Sequence, residues 1–270
     1  MIELIGEIGI NHNGHISTAK KLIDIASVAG LDYVKFQKRS PDICVPESQK
    51  FKQKSTPWGE MSYIEYKHRI EFNNGEYTEI DIYCKRRGIK WFASVWDMPS
   101  AEFMTLYTDT VKIPSAKITD IELLKFCRDH FEIRHMSTGM SDQADIDKAI
   151  EILEPQYIYH TNSTYPSPIN ELNLNYISYL REHNPGIAIG YSGHEFGLTT
   201  TFAAAAMGVD AIERHITLSH DMWGSDQASS VDPVGVFKLA RGVRDIEAAM
   251  GSMEERAIYE SERAKLEALR

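Results

Sequence analysis

Two histidines close β-like runs in the C-terminal third of the chain: His194 in GYSGHEFG (residues 190–197) and His215 in ERHITL (residues 213–218). Imidazole binds borderline divalent metals and exchanges protons near neutral pH, so the pair invites a metal or acid–base reading. No HExxH or CxxC spacing accompanies them, and spacing alone leaves open whether they share one ion or are unrelated loop residues. Other polar groups recur at the ends of β-like runs. They are Glu7, Lys35 with Gln37, Ser94, Lys112 with Ser115, Ser137 with Thr138, His160 with Ser163, Ser192, and Glu213 beside His215. Alternate residues of a strand face one side, so Lys35 projects with Gln37 and Glu213 projects with His215. One such residue would be an ordinary surface lysine or a satisfied structural histidine. Their recurrence at strand after strand is different, because buried lysines and histidines are costly unless paired or facing a charged ligand. The expected site is a cationic pocket with hydroxyls and amides on one side and histidines opposite. It suits a small anionic substrate and an open divalent-metal site. Two neutral imidazoles fit Mn²⁺, Zn²⁺ or Fe²⁺, with water and substrate oxygens completing a Lewis-acid shell.

The elements that must carry these groups alternate along the chain. Strand candidates are residues 2–10, 33–38, 90–96, 110–115, 132–138, 157–162, 187–192 and 211–217, separated by segments of helical periodicity. In ISTAKKLIDIASVAG, for example, Ile16, Ala19, Leu22, Ile23 and Ala26 share a face and Gly30 is a stop signal. Strand–helix alternation implies parallel strands joined by right-handed crossovers, and eight such units in roughly 250 residues predict an α/β fold, the TIM (β/α)8 barrel. A doubly wound open sheet is the alternative, but GEIGINHNG lacks the GxGxxG spacing of its nucleotide-binding turn. Residues 1–250 are expected to form the barrel, and residues 251–270 a charged helical tail. The connection over residues 39–72 is too long for a plain loop and predicts a lid or another functional insertion.

Composition narrows the function classes. The chain has 270 residues, 43% hydrophobic and 25% charged, as in ordinary globular proteins, and a formal net charge of -10. That charge argues against nucleic-acid and anionic-membrane partners. An anionic substrate must then be captured by local charge, which screening over roughly 8 Å permits. The apolar start is broken by Glu3 and Glu7 and lacks a basic leader, and no apolar run reaches membrane-spanning length. Cys44, Cys84 and Cys127 are widely spaced and odd in number, which suggests neither a zinc motif nor a disulfide framework and makes the cytoplasm the expected compartment.

With these residues in place, EIGINHNG, KFQ, VKIPSA, MSTGM, HTNSTYPSP, GYSGH, ERHITL and GSDQASSVDP, in that order from residue 2 to about 250, resemble the sialic acid (nonulosonic acid) synthases. The resemblance implies a TIM barrel that condenses phosphoenolpyruvate with an N-acetylmannosamine-like aldose. The implied products are a 3-deoxy-2-keto sugar acid and phosphate, and the implied cofactor is a divalent metal, Mn²⁺ foremost with Mg²⁺ or Co²⁺ as alternatives. It further implies that Lys35, Gln37, Ser94, Lys112, Ser115, Ser137 and Ser192 hold phosphoenolpyruvate. Ser163 falls where relatives carry Asn or Ser among the same contacts. His194 and His215 would be the metal ligands, Glu7 would act at the reacting centre, and Tyr165 and Asp226 would contact the sugar.

Three departures qualify the resemblance. The residues after about 250 are expected to form only the charged tail, where relatives continue into an antifreeze-like domain that reaches a partner subunit. The domain-swapped dimer therefore does not follow from the sequence, although a homo-oligomer is compatible with it. Lys117 stands where relatives commonly carry a sugar-contacting Glu, which either favours an acidic or phosphorylated acceptor or merely places a cation in solvent. Ser94 and Trp96 replace the usual Thr and Phe and keep the hydroxyl and the aromatic ring. Two further readings stand beside the leading one: a synthase of another 3-deoxy-ulosonic acid with a different aldose, and a non-catalytic ligand-binding barrel.

Overall fold

Parallel strands need crossover helices, and the chain supplies one between almost every pair. The computed structural model describes residues 1–252 and 254–270. Its strands are β1 (Glu3–Gly9), β2 (Tyr33–Lys38), β3 (Gln53–Thr56), β4 (Gly59–Ser62), β5 (Lys90–Val95), β6 (Thr110–Ile113), β7 (Ile133–Ser137), β8 (Tyr157–Thr161), β9 (Ala188–Gly193) and β10 (Ala211–His215). Every one except β3 and β4 joins a closed parallel barrel in the order β1-β10-β9-β8-β7-β6-β5-β2. This is the TIM barrel expected from the alternation. The helix Ile16–Ala29 buries Ala19, Leu22, Ile23 and Ala26 against it, and Gly30 ends it at φ 84°, donating its N–H to the Ala26 and Ser27 carbonyls. Without a Cβ, glycine takes that left-handed cap at little cost.

The strand ends differ slightly from the sequence expectation, with one instructive case. The strand predicted over residues 110–115 stops at Ile113, and Ser115 instead begins the short 3₁₀ turn Ser115–Lys117. Pro114 has no N–H for the ladder, so the chain must leave the sheet there.

The long connection is folded. It holds the β3–β4 antiparallel hairpin and the helix Tyr63–Ile70. Ser62 caps that helix by accepting the Glu65 N–H, and the Glu65 carboxylate accepts the Ser62 N–H in return. Tyr66 and Ile70 pack on Ile10 beside Trp58 and Trp223, so the insertion is pinned over the C-terminal rim of the barrel.

Two cores result. The larger lies between the outward faces of the strands and the helices, with Leu4, Val34, Phe36 and Ile212 among its fully buried members. Each such side chain contributes ~1.5–3 kcal/mol through burial. The smaller, inside the barrel, is built from Ile5, Phe92, Tyr159 and Ala211, with Tyr33 and Tyr157 against them. It closes the barrel below the polar mouth. The helix Glu260–Leu269 buries none of its residues.

Candidate active site

Strand register decides which side chains meet. Directly paired residues of parallel strands point to the same side. Glu7 lies opposite both Lys35 and His215, Gln37 opposite Ser94, Ser94 opposite Lys112, and Ser192 opposite both Thr161 and Glu213. These pairings put the polar groups of seven strands at one end of the barrel, around a cavity of about 140 Å³. Glu7, Lys35, Gln37, Ser94, Lys112, Ser115, Ser137, Ser163, Tyr165, Ser192, His194 and His215 all line it. Asp226 does not. It stands beside the lining, with Oδ2 4.0 Å from His215 Nδ1. Lys117 also lies outside the cavity, 3.6 Å from Asp120.

The cavity is charge-balanced rather than cationic, contrary to the sequence expectation. Lys35 Nζ lies 2.7 Å from Glu7 Oε2 and donates to Ser94 Oγ at 2.7 Å. Lys112 Nζ donates to Glu213 Oε2 at 2.8 Å and sits 3.8 Å above the Tyr159 ring. Ser192 donates to the other Glu213 oxygen at 3.1 Å. Two ammonium groups buried to 3% and 2% exposure would be prohibitive unpaired, and the two carboxylates offset that cost. Burial pushes the Glu213 carboxyl up, but Lys112 and Lys35 overcome it and hold it down at about 2. Burial lowers Lys112 to about 8 against the pull of Glu213. Glu7 is raised above the ordinary carboxylate value, because burial outweighs the attraction of Lys35. Gln37 Nε2 donates to its other oxygen at 2.9 Å. Gly9, at φ 54°, permits this crowding, since a Cβ there would stand 3.1 Å from both Glu7 and His215.

The histidines are arranged differently. Burial, and then the neighbouring His215, lower His194 to about 3, so it is neutral at pH 7. Its Nδ1 lies 2.7 Å from the Asn162 carbonyl, which can only accept, so Nδ1 carries the hydrogen and Nε2 presents its lone pair. The Tyr165 hydroxyl lies 3.0 Å from Nε2. Among the described residues His215 Nδ1 is buried with no hydrogen-bond partner, and the two rings are 5.5 Å apart between centroids. A neutral imidazole with a fixed tautomer beside an orphaned buried nitrogen fits a metal-binding pair. Among the described residues no group of three or more His, Cys, Asp or Glu is gathered for an ion.

Comparison with known proteins now decides the family. Residues 22–255 match the NeuB family. The chain belongs to it. Among NeuB relatives, the N,N'-diacetyllegionaminic acid synthase of Campylobacter jejuni is 31% identical, over 92% of this chain and 77% of the relative. The N-acetylneuraminate-9-phosphate synthase of Homo sapiens is 33% identical, over 92% of this chain and 71% of the relative. The crystal structure of the N-acetylneuraminic acid synthetase from Leptospira borgpetersenii, in complex with citrate, superposes with a TM-score of 0.87 at 26% identity. That superposition covers 99% of this chain and 90% of the synthetase.

Several participants carry no assigned role in the sequence reading. Glu213 is visible there as a strand-end residue beside His215, yet its partnership with Lys112 spans 101 positions and has no local signal. Tyr159 and the Asn162 carbonyl are likewise silent. The largest omission is Arg214, which points away from Glu213 and His215 because strand side chains alternate. It is 1% exposed and donates to Glu195 Oε1 at 3.1 Å, the Glu195 carbonyl at 2.6 Å and the Gly197 carbonyl at 2.8 Å. Tyr191 and Thr200 donate to the same carboxylate at 2.9 and 2.7 Å. This cluster clamps the segment that carries His194.

Proposed function

We propose that this chain condenses phosphoenolpyruvate with an N-acylated mannosamine-type aldose, forming a 3-deoxy-2-keto sugar acid of the nonulosonic type and releasing phosphate. The observation that carries the reading is the meeting of two buried lysines and a pair of metal-competent histidines at one cavity of a NeuB barrel. C3 of phosphoenolpyruvate bonds to the aldose carbonyl carbon, and that carbonyl oxygen takes a proton to become a hydroxyl. Water adds at C2, and the resulting tetrahedral centre expels phosphate to leave the 2-keto acid. Carbon, oxygen, phosphorus and charge balance with one water consumed.

Lys35 and Lys112, with the hydroxyls of Ser94, Ser115, Ser137, Ser163 and Ser192 and the amide of Gln37, hold the phosphate and carboxylate. Because Glu7 and Glu213 already neutralise the lysines, a bound dianion competes for their protons, and Ser94 and Ser192 can turn from internal acceptor and donor toward the ligand. Glu7, raised by burial, is suited to take a proton from the water that attacks C2. Tyr165 and Asp226 border the histidines and would contact the sugar. A divalent ion, Mn²⁺ foremost, held by His194 and His215 would act as a Lewis acid toward the aldose carbonyl. The free thiols Cys44, Cys84 and Cys127 suit a reducing cytoplasm, and among the described residues no helix is long and apolar enough to cross a membrane.

The test is phosphate release from phosphoenolpyruvate with N-acetylmannosamine, its 6-phosphate, mannose and arabinose 5-phosphate. The expected result is release with an N-acylated mannosamine, its loss on chelation, and its return with Mn²⁺. A product of the summed mass should appear by mass spectrometry. Release with none of them, with phosphoenolpyruvate still binding tightly, would establish the non-catalytic barrel instead.

A further inference from the structure

A second cavity, of about 390 Å³, adjoins the first and shares Trp96 and Ala116 with it as a common wall. Its floor is apolar, from Val45, Pro46 and Tyr63, but Arg39, Lys67 and Lys117 all line it and no carboxylate does. In a chain of net charge -10, three cations around one small space are unexpected unless something anionic enters it.

Their bonding supports that. Lys67 is 9% exposed, and among the described residues it has neither a hydrogen bond nor an ion pair. The Tyr63 and Tyr66 rings lie 5.2 and 5.3 Å from Nζ, and the Asp226 and Glu71 carboxylates attract it without bonding to it. Arg39 lies flat over Trp96, 4.3 Å from the ring, and gives one arm to Gln37 Oε1. Its Nε and the Trp96 Nε1 are both buried without a partner among the described residues. Among the described residues Lys117 pairs only with Asp120, at 3.6 Å. The neighbouring carboxylate Glu71 is committed elsewhere, accepting the Arg39 backbone N–H at 3.3 Å and lying 4.0 Å from Lys38. Each unanswered buried donor is costly and a charged one more so, and a ligand oxyanion would recover that cost.

We infer that the acceptor aldose carries a phosphate ester at the end remote from its carbonyl, and that Arg39, Lys67 and Lys117 hold that phosphate in this second cavity. The inference rests on the synthase reading for the sugar's orientation: with the carbonyl beside His194 and His215, the far end passes Trp96. Three cations match a dianion better than a single carboxylate. Gln37 joins the two spaces, donating to Glu7 and accepting from Arg39.

The experiment compares N-acetylmannosamine with its 6-phosphate, and a hexuronic acid as the singly charged control, on the full chain with saturating phosphoenolpyruvate and Mn²⁺. A kcat/KM at least about tenfold higher for the 6-phosphate is expected (~1.4 kcal/mol). Lys67→Met and Lys117→Glu should each shrink that ratio by at least about tenfold. Equal values for the two sugars, a preference for the uronic acid, or a ratio unchanged in both variants would overturn the inference while leaving the synthase reading intact. If no sugar turns over, calorimetric binding decides separately. Tighter binding of the 6-phosphate that Lys67→Met abolishes supports the subsite, and equal binding of both sugars overturns it. Should Lys67→Met fail to fold, Lys117→Glu alone decides by the same ratio.

Discussion

Two layers of the same barrel interior treat histidine in opposite ways. In the lower layer His135 stacks against Tyr157 at 4.4 Å and Phe92 at 4.9 Å, and its Nδ1 lies 2.9 Å from the Tyr159 hydroxyl. In the upper layer His215 leaves Nδ1 buried and unanswered, and His194 offers Nε2 only to the rotatable Tyr165 hydroxyl. Burial lowers both His135 and His194 to about 3, so neither protonation state nor exposure separates them. Surroundings do: His135 is stacked between the aromatic rings of the inner core, whereas His194 and His215 line the polar cavity. A histidine packed between rings belongs to the core, whereas one that faces a polar cavity is placed to meet a ligand.

Substitutions can break or sharpen that contrast. The largest effect is expected at the mouth, where Glu7→Gln should lower turnover by roughly 10²–10⁴-fold and lower the thermal midpoint as well, because buried Lys35 loses its carboxylate partner. Near-normal phosphate release from a folded, metal-loaded variant would remove Glu7 from the proposed chemistry. In the lower layer, His135→Phe should cost ~1–3 kcal/mol of stability by denaturant titration, through the lost Tyr159 hydrogen bond, and leave turnover within a few-fold. A dead but fully stable His135→Phe protein would erase the distinction between the layers. The smallest effect concerns pH and Lys112, the residue that spans them. Its ammonium, lowered to about 8 in the folded chain, must be protonated to hold an anion. Phosphoenolpyruvate affinity should therefore be flat between about pH 7 and 8, where its phosphate is already a dianion, and fall by at most about tenfold per unit above that. Calorimetry showing affinity that rises with pH across that range would contradict the assignment.

Much of this was readable from the chain alone because local rules carry it. β-branched runs with alternating polarity mark the barrel strands, and i, i+2 spacing places Lys35 with Gln37 and Glu213 with His215 on the inside. The charge balance was not readable. Lys112 meets Glu213 only because the barrel closes, and closure is a property of the whole sheet. The same limit applies to the cavity of Arg39, Lys67 and Lys117, whose members come from the end of β2, the helix Tyr63–Ile70 and the turn after β6. The hairpin of β3 and β4 escaped for another reason. Its strands, QKST and GEMS, are too short and polar to show an apolar alternation.

The tripeptide Glu213–Arg214–His215 writes two messages in one reading frame. The odd positions serve the cavity, and the even one locks Glu195 and the His194 segment on the far side of the sheet. Such overlap makes the strand brittle to insertions and deletions. Loss of a single codon ahead of Glu213 would turn an arginine into the barrel mouth and strand Glu195 without its counter-charge. Evolution can therefore tune this enzyme through its rim, at residues such as Lys117, far more freely than through β10.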